Sequence, residues 1–238
     1  MTPAARDRWQ VRAPVLFLSA AGWILLAVAP GGATFAHCLV EMPSMIPPAS
    51  LASGWALMLA AMMAPLLIAP VRHVRDRSFA HRRARAIALF VAGYGAVWMA
   101  AGALLLAIAW AIRFALLAAL LATLWQCSPW KQVCLNRGHA HAELAAFAPA
   151  ADWDALRFGL AHGVWCAGSC WALMLVPLLV SRGHLAAMAA VSVWLYAERL
   201  DRPMMPRWHL RLPAKAARIL AANARALGFE MGLLRAIR

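Results

Sequence analysis

Charged segments divide this chain into apolar runs of roughly the length a bilayer demands. The hydrocarbon core of a membrane is crossed by about 20 apolar residues in helical form. Runs of that kind, or slightly shorter, fall at 14–30, 51–71, 86–110, 114–126, 158–180 and 185–197. Inside lipid a backbone has no water to bond with, so each run must satisfy its own polar groups as a helix. The expectation is an all-α, polytopic transmembrane bundle of about six spans. The third and fourth runs share one tract interrupted only by Arg113.

Composition agrees. Of 238 residues, 64% are hydrophobic and 13% charged, against about 45–50% and 25% in soluble domains. The basic excess, 23 Lys and Arg against 9 Asp and Glu, lies between the runs rather than in one patch. That distribution fits the cytoplasmic enrichment of basic residues in membrane proteins, and no nucleic-acid partner is expected. With six spans and an inside N-terminus, Arg113 and Arg182 alone fall on the far side. The localisation this predicts is a bacterial inner (cell) membrane with both termini cytoplasmic. The basic start and the small residues around Ala36 also fit a cleaved leader, although the apolar stretch is long for one.

Residues 1–205 then form the bundle and 206–238 a basic amphipathic tail. In the tail Leu220, Ala224, Leu227, Met231 and Leu234 recur at helical spacing among Lys215, Arg218, Arg225 and Arg235. Such a helix lies on an anionic lipid surface or packs against the bundle.

Chemistry concentrates in the fifth run, "AHGVWCAGSCWALM". His162, Cys166, Cys170 and Met174 follow one another at intervals of four, so they stack along one helix face. Thiolate and thioether are soft ligands that select Cu(I), and thiolate with imidazole also suits zinc. A histidine in a membrane span is costly and usually points to a partner inside the bundle. Against this, buried cysteine also acts as a small hydrophobe and methionine as a gap filler. The second run holds Met58, Met62 and Met63 ahead of Pro65, which takes the helical donor from the carbonyl of Ala61. A kink there would free a backbone oxygen near the methionines.

Further candidates lie outside the spans. One loop carries His37, Cys38, Glu41, Met42 and Met45; another carries Cys127, Cys134, His139, His141 and Glu143. Glu198, at the end of the sixth run, would pair with a basic neighbour or close a metal or proton path. Phosphate loops, nucleophile elbows and Cys-x-x-Cys are missing from the sequence.

These residues together resemble an uncharacterised bacterial family of predicted metal-binding integral membrane proteins. One matching signature is Gly159, His162, Gly163, Cys166, Gly168, Cys170, Trp171, Ala172, Leu173 and Met174. The others are Trp55, Met58, Ala61, Met62, Met63 and Pro65, then Gln126, Pro129, Lys131, Cys134 and Leu135, with Glu198. The resemblance covers roughly residues 50–200. Ser169 stands where the family usually has a cysteine, and Asn136, Arg137 and Gly138 where another usually follows.

The resemblance implies metal handling. The metal ligands expected are Cys166, Cys170, His162, Met174, Met58, Met62, Met63, Cys134 and Glu198. The expected metal is copper, with zinc second. The expected partners are membrane lipid and a membrane metalloenzyme or metal chaperone. Two other readings stay open: an assembly subunit without metal, and a membrane thiol oxidoreductase using Cys166 and Cys170.

Overall fold

The structure, a computed structural model, describes residues 3–28, 47–112, 114–147, 149–180 and 183–210, and positions 213, 215, 216, 218, 219 and 222. The His37–Met45 loop, Arg113, Arg182 and most of the amphipathic tail lie outside the described residues. No strand occurs among the described residues. The helices are α1 (Pro3–Val28), α2 (Pro48–Met63), α3 (Ile68–Arg77), α4 (Arg83–Ile112), α5 (Ala115–Cys127), α6 (Pro129–Gly138), α7 (Ala150–Leu179) and α8 (His184–Arg199). The described parts of all six apolar runs are largely helical; α4 ends at Ile112 and α5 begins at Ala115.

Four helical stretches are long and apolar enough to cross a membrane: Trp9–Val28, Pro48–Arg77, Ala80–Ile112 and Ala150–Leu179. The other two expected spans are shorter. Helix α5 has 13 residues and α8 has 16, roughly 20 and 24 Å at 1.5 Å per residue. Ser128 and Pro129 end α5, and Gly183, at φ 79°, opens α8 in the left-handed region. Large apolar side chains point outward on the helices, among them Phe17 of α1 and Leu116 of α5, 76% and 75% exposed.

Helix α7 organises the bundle. Its most extensive partner is α4, and α5, α6 and α8 also pack on it. The α4–α7 contact is close because two glycines face it. A Cβ at Gly159 would stand 2.9 Å from the carbonyl carbon of Phe90, and one at Gly93 would stand 2.6 Å from the carbonyl oxygen of Leu156. Small residues at such a crossing let backbones touch. At one end Arg82 and Arg85 both bind Asp152, at 2.6 and 2.8 Å.

The kink expected at Pro65 is present. Helix α2 ends at Met63 and a 3-10 turn, Ala64–Leu67, leads into α3. The freed oxygen is not left open to a ligand, however. Ser19 of α1 donates its hydroxyl to the carbonyl of Ala61 at 2.6 Å. A buried carbonyl deprived of its helical donor needs a replacement, and Ser19 supplies it.

Candidate metal centre

The stripe on α7 faces inward. Cys166 and Cys170 are each 1% exposed and Met174 is fully buried. Met58, Met62 and Met63 of α2 are equally buried and belong to the same contiguous core, with Trp55, Tyr94, Trp98 and Met188. Two thiols and a set of thioethers from three helices thus share one dry compartment.

Local bonds hold the thiols in place. Cys170 donates its Sγ–H to the carbonyl of Cys166 at 2.9 Å, and Ser169 donates to the same oxygen at 2.8 Å. The Tyr94 hydroxyl lies 3.4 Å from Cys166 Sγ. Trp55 donates to the carbonyl of Trp98 at 2.9 Å, fixing α2 against α4. His162 sits one turn before Cys166, its ring about 6 Å from those of Phe90, Tyr94 and Phe158. It is held in an aromatic cage that Tyr94 links to the thiol.

Arg199 is the last residue of α8. It packs on Gly138, where an added Cβ would stand 3.0 Å from Cζ. Its Nη2 is buried without a partner among the described residues. On its other side Arg199 lines a cleft of about 620 Å3 with Met62, Tyr196 and Arg12.

Two expected ligands are placed elsewhere. Cys134, on α6, is half-buried and packs over Gly168, 2.8 Å from where a Cβ there would lie. Gly168 is two residues from both cysteines and so faces the other side of α7. Burial raises the Cys134 thiol above its ordinary pKa, and the Arg199 charge lowers it by less. Glu198 is taken up in a buried polar knot. Its Oε2 lies 2.9 Å from Lys131 Nζ. Its Oε1 accepts from Trp194 at 2.9 Å and from Gln126, which in turn accepts from Lys131. Its Oε2 faces Lys131 and its Oε1 faces Trp194 and Gln126.

The inner-loop histidines are likewise occupied. His139 contacts the carbonyls of Leu135 and Arg199, at 2.8 and 3.3 Å. His141 packs against His73 with ring centroids 4.7 Å apart. Among the described residues no three His, Cys, Asp or Glu side chains form a group able to hold a metal ion. The side chain placed at the thiols is Tyr94, and the methionines share their core.

A family model for PpoB2, described as a copper chaperone, matches residues 52–224. The chain belongs to the PpoB2 copper chaperone family. The match contains every candidate ligand from Met58 to Glu198, while α1 lies outside it. No curated protein and no solved structure matches the chain. The PpoB2 description names copper, and the donor set agrees with it. Structural zinc takes four Cys, His or carboxylate ligands, which do not converge among the described residues. Soft sulfur donors suit Cu(I).

Reasoning from sequence missed Tyr94 and Met188 in this core. Met188 had a signal: it is four residues after His184 on an apolar helix.

Proposed function

We propose that this protein holds a copper ion inside a membrane-embedded helix bundle and passes it to a membrane metalloenzyme or another metal carrier. Copper is the cargo, not a resident cofactor. Cys166 and Cys170 are the primary ligands. Met58, Met62, Met63 and Met174 complete the site or relay the ion along the core, with His162 beside them. The observation that carries this reading is one shared dry core containing both thiols and the methionines, in a chain of the PpoB2 copper chaperone family.

The membrane setting rests on the four long apolar helices and the outward-facing Phe17 and Leu116. The inner membrane, with both termini cytoplasmic, follows from the side on which the basic residues gather. Burying the ion among thioethers keeps water and stray chelators away, and weak flanking donors leave it a path out.

The test is metal stoichiometry. Protein purified anaerobically in detergent and supplied with Cu(I) should bind one ion per chain. The Cys166→Ser/Cys170→Ser variant should bind none. Full stoichiometry in that variant would overturn the ligand assignment.

A further inference from the structure

Resting on the copper reading just given, we infer that His73 and His141 form a copper exchange port at the mouth of the α7 stripe, a weak second site through which Cu(I) reaches or leaves Cys166 and Cys170.

A run of side-chain rings leads from the surface to the thiol. The rings of His73, on α3, and His141, between α6 and α7, have centroids 4.7 Å apart. Both pack on Phe158, at 5.7 and 6.5 Å. Phe158 packs on His162 at 5.9 Å, and His162 on Tyr94 at 6.0 Å. The Tyr94 hydroxyl lies 3.4 Å from Cys166 Sγ. Phe158 stands four residues before His162, one turn earlier on the same face of α7. The histidine pair therefore meets the ligand stripe one turn beyond its first member.

The pair has the chemistry of a metal site. Imidazole suits copper, and a metal-bound histidine almost always donates its other ring N–H to a carboxylate or a backbone carbonyl. His73 is already held in that way, with Nε2 2.8 Å from the carbonyl oxygen of Ala142. A carbonyl only accepts, so Nε2 carries the hydrogen and neutral His73 keeps its lone pair on Nδ1. An ion about 2 Å from one nitrogen of each ring bridges rings this close only in a bent arrangement, which leaves a side open for another ligand. Access fits the same role. His141 is exposed and His73 half-buried, whereas Phe158 and His162 are buried. Imidazoles hold Cu(I) less well than the softer thiolates, so the ion moves on. Between the pair and His162 it meets the Phe158 ring, whose face attracts cations.

The experiment follows Cu(I) transfer from its bicinchoninate complex to the full chain in detergent by stopped flow, and counts the ions retained after desalting. The proteins are wild type, His141→Gln, His73→Gln/His141→Gln and His81→Gln. His81 is an exposed histidine just beyond α3 that stacks on Phe79 instead. Loss of both imidazoles should slow transfer by about 10–100-fold, the range seen when a supporting partner of a metal site is removed, and leave the final count at one ion per chain. His141→Gln should slow transfer by less, and His81→Gln should behave as wild type.

Transfer at the wild-type rate in His73→Gln/His141→Gln would overturn the inference, as would a slowing that His81→Gln shares. A merely structural pair would lower the thermal midpoint or the final count and leave the rate of the folded fraction unchanged. Should the double variant fail to fold, His141→Gln decides, because its side chain is exposed. Histidine NMR supplies a second measurement with the pair intact. In Cys166→Ser/Cys170→Ser protein, Ag(I), a redox-inert stand-in for Cu(I), should shift the ring nitrogens of His73 and His141 and wash out on desalting. Unmoved resonances would overturn the port. Wild type that retains no Cu(I) would instead sink the copper reading, and the port with it, an outcome distinct from any result on the two histidines.

Discussion

Lys131 Nζ lies 2.9 Å from Glu198 Oε2, with the two side chains 0% and 5% exposed. The pair joins α6 to α8, and Gln126 and Trp194 close the knot from α5 and α8. A charge pair so well hidden is held by its completeness. Removing one partner strands the other, at a cost of about 3–5 kcal/mol, whereas replacing both by apolar groups is often neutral. Lys131→Met should therefore lower the thermal midpoint in detergent sharply, and Lys131→Met/Glu198→Leu should recover most of the loss. A double variant as unstable as the sum of both singles would contradict this.

The bond from Ser19 to Ala61 predicts a second effect. Ser19→Ala leaves the Ala61 carbonyl buried without its replacement donor, which costs about 1–3 kcal/mol. Ser19→Thr keeps a hydroxyl and should cost less. Unfolding of the two variants side by side checks the order.

Backbone proximity between α4 and α7 gives a paired prediction. Gly159→Ala would push its Cβ into the Phe90 backbone, and overpacking of this kind costs about 1–3 kcal/mol. Gly95 lies on the same helix as Gly93, but its Cβ position meets nothing within 4 Å. Gly95→Ala should leave stability within about 0.5 kcal/mol of wild type.

His141 supplies a pH dependence. Burial first, and the neighbouring His73 second, hold its pKa below the ordinary 6.5. The folded state thus binds this proton less readily than the unfolded chain. The stability His141 contributes is complete above the ordinary value and is lost as pH falls through it toward the folded pKa. NMR titration of the imidazole should show a midpoint below 6.5. His141→Gln should flatten the fall in stability between the two pKa values.

Much of this architecture is legible in the chain. Apolar runs of bilayer length specify helices because lipid permits little else. Pro65 announces its break, since a ring without an N–H cannot continue the ladder. The four-residue spacing from His162 to Met174 identifies the inward face of α7. The kink's oxygen was harder, because Ser19 lies 42 residues away and a lone serine in an apolar run carries no label. Lys131 and Arg199 were harder still. Both lie in segments whose basic residues read as a solvated inner face, and only packing shows one at Glu198 and the other on Gly138. Cys134, expected from the family stretch it matches, packs over Gly168, on the side of α7 away from Cys166 and Cys170.

The account stands on sulfur from Cys166 and Cys170 reaching copper. X-ray absorption at the copper edge, on protein loaded with one equivalent of Cu(I) in detergent, tests that most directly. We expect a first shell dominated by sulfur in wild type, lost in Cys166→Ser/Cys170→Ser. A shell of nitrogen and oxygen in wild type, unchanged by the two substitutions, would contradict the account and return the stripe on α7 to simple packing.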